Sequence, residues 1–393
     1  MNTLFDLRKN VDSSSYIKIS QQYKGDLSFF DFENKEITPC IGCWDCWLKT
    51  PGSCVMKDRM SESYGVFVNS DAVIILMDTA QGFINHRGKA FIDRSIPHFH
   101  PYIKLINGES QHLSRYDRLP ELIFHFEREG LTEEEEQRIE DYLYRTAHQF
   151  QTTGYRILDL HHPRVIPLTH RPAKRGAQSF GSTKTLDKLV IYNGSPRKTD
   201  SNTALILQEV RRRLGNSVEI RDLKNREEWG DWQEKFIEEE HILLMLPLYV
   251  HSMPSHVMEF IEGLKSSRGS IVFFIQSGFP ESSQSYYLEA YFEQLAIRLN
   301  RTYLGTVIKG GMEGLKARPV QSRQKIIEPV VTIIQDLINY GKIMEDQCLQ
   351  LGKPIHLGWL GKAFLKTGII NYYWDQQLKA NQALERKDHR PYR

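Results

Sequence analysis

Several features are missing from this sequence, and each absence narrows the reading. No apolar run approaches the roughly 18 residues that a bilayer-spanning helix requires. The opening MNTLFDLRKN lacks the apolar core of a secretion signal. Charge bias is missing too: a formal net charge of +2 over 393 residues, with 25% charged, argues against a global affinity for nucleic acid or acidic substrates. Cysteine is scarce outside one stretch, since four of the five lie between Cys40 and Cys54. That is no secreted disulfide framework, and a reducing cytoplasm is the expected compartment. Neither common nucleotide loop is present: without GxxxxGK[ST] a P-loop triphosphatase is disfavoured, and without GxGxxG so is a dinucleotide-binding Rossmann unit. No HExxH or Ser–His–Asp arrangement stands out.

What is present is a repeated alternation of strand and helix patterns, in a chain long enough for two or three domains. In the first half, apolar runs predict strands at Asn2–Leu7, Leu27–Phe32, Ala72–Met77, Leu122–Phe126 and Tyr155–Leu160. A polar amphipathic helix follows Thr132 as its N-cap, with Glu133–Glu136 as a solvated first turn. Residues 161–186 are basic and rich in Pro, Ser and Gly without period, which predicts a linker and leaves His161 and His162 in solvent. The second half predicts strands at Leu189–Tyr192, Val218–Arg221, Ile242–Leu246, Ser270–Ile275 and Tyr303–Ile308, with helices near 203–214, 229–240, 255–265, 285–299 and 321–342. Five such units imply a parallel sheet covered on both faces, with ligands at the carboxyl ends of the strands.

The stretch from Lys188 to Val210 carries the clearest chemistry. A buried-strand pattern ends at Gly194, a hydroxyl-rich loop comes next, and Ser201 and Asn202 offer caps to a helix starting near Thr203. A helix N-terminus with free N–H groups, the hydroxyls of Ser195, Ser201 and Thr203, and the charge of Arg197 would converge on an anion. Each later strand is followed by a stiff or glycine-rich loop: Pro247 to Pro254, Gln276 to Glu281, and Gly310 to Gly314. Tyr249 and Phe279 read as ring-packing residues, and His251 as a loop histidine. The tail combines Ile369, Ile370, Tyr372, Tyr373 and Trp374 with basic Lys379, Arg386, Lys387, Arg390 and Arg393. It reads as a docked helix, with contact at a membrane surface as the alternative.

The pattern G-S-P-R-x-x-x-S-N-T, followed in order by P-L-Y-x-x-x-M-P and S-G-F-P-E, resembles the NADPH-dependent FMN reductases, a branch of the flavodoxin-like flavoproteins. The resemblance spans roughly residues 188 to 340. It implies that Ser195, Arg197, Ser201, Asn202 and Thr203 hold the FMN phosphate, and that Pro247, Leu248, Tyr249, Val250, Ser277 and Gly278 face the ring and ribityl chain. The first half resembles the iron–sulfur flavoprotein branch through Cys40, Cys43, Cys46 and Cys54, spaced C-x2-C-x2-C-x7-C. Its own loops lack the Gly-Ser-Pro-Arg and Pro-x-Tyr patterns.

The expected architecture is therefore α/β: two flavodoxin-like, doubly wound, five-stranded parallel sheets in tandem, the first degenerate. The boundaries fall at 1–160 for the degenerate domain, 161–186 for the linker, 187–345 for the FMN-binding domain and 346–393 for a helical tail. The implied activity is an NAD(P)H-dependent flavin oxidoreductase passing electrons to a small acceptor such as a quinone or free flavin, or to a redox partner. A non-enzymatic electron carrier or redox sensor is the rival, and an oligomer is compatible with either. Two-residue spacers let consecutive thiolates face one point, so the four cysteines suit a [4Fe–4S] cluster; a structural or redox-active thiol loop and a zinc site are the other readings.

Overall fold

In the computed structural model the described residues are 1–9, 21, 27–30, 32, 36–152, 154–157, 164–167, 185–197 and 201–393. They divide into two compact units: Met1–Arg171 together with Trp359–Arg393, and Pro172–Gly358.

The first unit begins with β1 (Asn2–Asp6) and β2 (Leu27–Phe30), then the cysteine loop with its short helix α1 (Asp45–Leu48), and α2 (Arg59–Val68). Next come β3 (Ala72–Met77), a two-stranded ribbon β4 (Thr79–Ala80) and β5 (Phe83–Ile84), and α3 (His86–Asp93). A hairpin β6 (Phe99–Ile106) and β7 (Glu109–Ser114) precedes β8 (Glu121–Phe126), α4 (Glu133–Gln149), β9 (Gly154–Ile157) and β10 (Arg164–Pro167). The sheet runs β10-β9-β8-β3-β1-β2. Its five strands from β2 to β9 are parallel, and β10 closes one edge antiparallel to β9. That sixth strand falls within the 161–186 segment, and Pro167 sits at the end of an edge strand, where a missing donor is tolerated. The rest of that segment, with His161 and His162, lies outside the described residues as far as residue 184.

β3 is buried at all six positions, as a central parallel strand covered on both faces must be. α4 opens with a full capping box, Thr132 and Glu135 satisfying each other's backbone N–H. α3 is buried along its whole length, which the polar sequence His86–Asp93 conceals. Lys89 bonds Asp93 one turn away, Arg87 donates to the Arg8 carbonyl at 3.3 Å, and Arg94, just past the helix, donates to Asp58 at 2.8 and 2.9 Å.

The second unit contains β11 (Leu189–Asn193), α5 (Asn202–Leu214), β12 (Val218–Asp222), α6 (Trp229–Lys235), β13 (His241–Pro247) and α7 (Ser255–Glu262). It continues with β14 (Ser270–Gln276), α8 (Tyr287–Arg298), β15 (Thr302–Lys309), α9 (Val320–Tyr340) and α10 (Glu345–Leu351). All five strands are parallel in the order β12-β11-β13-β14-β15. Counted within the unit, that order is 2-1-3-4-5, and the five parallel strands of the first unit share it. This is the flavodoxin-like winding. One core layer packs Ile206, Leu207 and Val210 of α5 and Val330, Ile334 and Leu337 of α9 on the sheet, through Ile191, Met245 and Phe274.

After α10 the chain returns to the first unit with α11 (Trp359–Lys366) and α12 (Ile369–Ala380). The buried Arg115 ties down the C-terminal residues beyond α12. Its guanidinium donates to the carbonyls of Lys387 and His389 as well as those of Pro97 and Phe99, at 2.7–3.2 Å.

Candidate functional site

In the second unit the strand order reverses between β11 and β13, so the crevice beyond their carboxyl ends is the place for a ligand. Gly194 opens it. A Cβ there would lie 2.5 Å from Leu246 Cδ2 on β13 and 2.8 Å from Val257 Cγ2 on α7, so any larger residue would have to displace these buried side chains. Asn193 then knots the strand ends: its amide donates to Asp222 Oδ1 at 2.6 Å, and its Oδ1 accepts the Ser195 N–H at 3.0 Å. Ser201 caps α5, its Oγ accepting from the Ala204 N–H at 2.9 Å.

The structure thus sorts the five phosphate-end residues. Ser195, Ser201 and Thr203 are buried at the mouth of α5, while Arg197 and Asn202 are half-exposed. Two of the five direct their polar groups into the protein. Asn202 donates to the carbonyl of Met312 at 2.6 Å, binding α5 to the loop after β15, and Thr203 Oγ1 accepts from Gln276 Nε2. The Ser195 N–H is engaged by Asn193. The other donors of the set are the hydroxyls of Ser195 and Ser201 and the Arg197 guanidinium. Residues 198–200 of this loop lie outside the described residues.

The loop after β13 is shaped by an unusual turn. Tyr249 and Ser252 bridge each other at 2.8 and 3.0 Å, and between them Val250 and His251 take φ of 34° and 63°. A β-branched residue in that region is strained, and strain of this kind concentrates at functional loops. The turn leaves Pro247, Leu248, Tyr249 and Val250 half-buried while the whole stretch from His251 to Met258 is buried beneath them. The loop after β14 is fixed by the Ser277 N–H on Lys309 O at 3.0 Å and the Gly311 N–H on Phe279 O at 2.7 Å. Gly278 is exposed at its tip, and a Cβ there would come within 3.3 Å of Glu313 Oε2. Burial pushes the Glu313 carboxyl up, opposed by the Gly314 N–H and by Arg197.

Among the described residues, Ser252 Oγ and Gln276 Oε1 are buried polar atoms on these elements that have no partner. A ligand with polar edges as well as an anionic end fits such a crevice. Asn193, Gln276 and Glu313 are the residues that sequence reasoning left without a role. Gln276 had one signal, a lone amide closing the apolar run Ser270–Ile275.

The matching edge of the first unit is filled from within. Asp6 and Arg8 form a buried bidentate pair at 2.7 and 3.0 Å, Arg8 also reaches Glu127 at 3.2 Å, and the Lys9 N–H donates to Asp78 Oδ2 at 2.7 Å. Carboxylates therefore occupy the backbone and guanidinium donors that an anion would need. Residues 10–15 of this loop lie outside the described residues. At the opposite edge of the same sheet a cleft of about 670 Å³ runs past Asp71, Asp117, Arg118, Glu121 and Arg156. Its charges are paired with one another or with Arg390.

In the cysteine loop, Cys46 lies in α1 with Cys40, Cys43 and Cys54 close enough to influence its ionisation. Burial leads in pushing the thiols of Cys40, Cys43 and Cys46 up, that of Cys40 to about 12. Trp44 and Trp47 stack at 6.3 Å, and both meet Trp374 edge-on. Four thiols are a donor set that a cluster or a zinc ion could use. As placed, however, among the described residues no three His, Cys, Asp or Glu side chains are arranged to hold one metal ion.

Three comparisons bear on this site. No family model matches the sequence. The chain is similar to an iron–sulfur flavoprotein from Archaeoglobus fulgidus, at 37% identity over 67 residues; the match spans 17% of this chain and 30% of that relative's length. Among solved structures it is similar to an NADPH-quinone reductase from P. pentosaceus (14% identity, TM-score 0.29, 37% of this chain and 94% of that one). It is also similar to general stress protein 14 in complex with FMN from Treponema denticola (14%, 0.31, 38% and 97%) and to an FMN-dependent NADH-azoreductase from Bacillus anthracis (15%, 0.30, 39% and 100%). The fold assignment rests on the strand order of the two sheets.

Proposed function

We propose that this chain is a flavin oxidoreductase that binds one FMN, in the second unit, and uses NAD(P)H to reduce a small acceptor such as a quinone or free flavin. The observation that carries the reading is the convergence of loops at the β11–β13 switch point. It joins an anion cradle at the start of α5 to a strained, half-exposed turn and to two unpartnered buried polar atoms. Arg197, Ser195 and Ser201 would hold the phosphate. Pro247–Val250 with Ser277 and Gly278 would flank the ring, with Ser252 and Gln276 bonding its polar edge. Bound FMN would supply the chemistry of accepting a hydride pair and passing electrons onward. The protein's part is to orient the ring, exclude water from one side through the buried His251–Met258 layer, and hold Glu313 beside Arg197. Asn202 and Thr203 act in this reading as positioning residues that lock α5 to the neighbouring loops.

In the first unit the Asp6–Arg8–Glu127 and Lys9–Asp78 contacts disfavour a second flavin. The four cysteines are the residues that would hold a cluster. Their placement does not fit one, so no electron step is assigned to them.

An absorption spectrum of anaerobically purified protein tests the proposal, combined with NADH and NADPH oxidation against a quinone acceptor. One FMN per chain and steady turnover are expected. FAD as the main flavin, or two flavins per chain, would refute the site assignment; flavin without turnover would favour an electron carrier. The same spectrum reads any iron–sulfur absorption from the cysteine loop.

A further inference from the structure

The hairpin of α11 and α12 has two different sides. Its inner side is fixed to the first unit: Leu365, Trp374 and Leu378 are buried, and Asn371 brackets Ile103 of β6, accepting its N–H at 2.8 Å and donating to its carbonyl at 3.3 Å. Tyr102 adds a bond to Asp375 at 2.5 Å. The outer side is apolar and open. Trp359 is 77% exposed, Leu360 65%, Phe364 49%, Ile369 60% and Tyr372 64%. Gly368, at φ 71°, makes the sharp turn that brings Ile369 and Tyr372 beside the end of α11.

Along the hairpin before Asp375 the charge has one sign. From Ile355 to Trp374 there is no Asp or Glu, while Lys362 and Lys366 lie on α11 and the exposed Lys104 lies on the strand beneath. The basic residues at the chain's end take no part. Arg390 and Arg393 are engaged by Asp117, and Arg386 donates to Lys49 O. Large aromatic and aliphatic side chains flanked by Lys362, Lys366 and Lys104, with Asp375 bonded inward by Tyr102, match the interface of an anionic bilayer, where rings sit at headgroup depth and ammonium groups meet phosphate. A two-fold pairing with a second copy would instead set lysine against lysine. No helix among the described residues is long and apolar enough to cross a membrane, so the contact is one of docking.

We propose that the α11–α12 hairpin docks reversibly on anionic lipid surfaces, seating Trp359, Leu360, Phe364 and Ile369 among the headgroups with Lys362 and Lys366 on the lipid phosphates. The test is co-sedimentation of the full chain with vesicles of phosphatidylcholine alone and of phosphatidylcholine with phosphatidylglycerol. Binding is expected for the anionic vesicles, weakening as salt rises. It should fall about tenfold or more in a Trp359→Ala/Phe364→Ala protein and in a Lys362→Glu/Lys366→Glu protein. All of these side chains except the half-buried Lys362 are exposed, so thermal unfolding of both variants should match the native protein and separate lost docking from lost folding. Absence of binding to either vesicle, equal binding to both, or binding unchanged in both variants would overturn the proposal. So would self-association that Trp359→Ala/Phe364→Ala abolishes in a protein that ignores vesicles, which would assign the face to a second copy.

Discussion

Arg197 acts against the burial that pushes the Glu313 carboxyl up, so the two residues bear on the same candidate site. Removing Arg197 and the Ser201 hydroxyl takes away two donors of the cradle. Each charge-assisted bond lost costs about 1.5–3 kcal/mol, so the Arg197→Ala/Ser201→Ala protein should lose FMN during purification. Ser201→Ala alone also removes the cap on α5, worth about 1 kcal/mol, so unfolding of the flavin-free forms must be measured alongside. Glu313 makes a prediction in pH. Burial raises its carboxyl, so above the ordinary carboxylate range the folded chain holds a proton that the unfolded chain has released. Its contribution is therefore fully present at acidic pH and is lost as pH rises through the raised value. Glu313→Gln should leave stability almost unchanged in acid and increase it at alkaline pH. Denaturation midpoints across a pH series check this; parallel native and variant curves would contradict it.

At the scale of elements, the central strands were legible because apolar runs bounded by turns have few alternatives. Ala72–Met77 matches its reading to the residue, and the five strands of the second unit differ only at their ends. The β6–β7 hairpin was not read, although Asn107-Gly108, at φ 50° and 86°, is a strong hairpin signal. α3 was hidden for another reason: it buries Lys89 paired with Asp93 and Arg87 on a backbone carbonyl, so burial leaves no apolar period. The candidate site was legible as a place rather than as a set of contacts. Asn202 looks like a phosphate ligand until its amide is found on Met312, 110 residues away, and no local pattern reports that. Arg115 is the corresponding surprise in the first unit, a buried cation held by four carbonyls. Arg115→Ala would strand those carbonyls at about 1–3 kcal/mol each where they stay buried. A loss of more than about 3 kcal/mol is expected in the denaturant-measured stability of the first unit, with the second unit's transition unmoved.

On the scale of the whole molecule, two sheets of one winding have diverged in complementary ways. The second unit carries the Ser195–Ser201 loop proposed as an anion cradle; in the first, Asp6, Arg8, Asp78 and Glu127 make contacts at the corresponding edge, and that unit carries the cysteine loop. The first unit is also discontinuous in sequence, since Trp359–Arg393 completes it after the second unit has intervened. During synthesis, the first sheet is therefore without its C-terminal helices while Pro172–Gly358 is made, on the order of ten to forty seconds at ordinary translation rates. The second unit, continuous in the chain, is free to fold and take up its ligand in that interval. Trp44 and Trp47, with the thiols beside them, stay uncovered until Trp374 arrives. Assembly thus runs against the direction of synthesis: the part translated first is the part finished last.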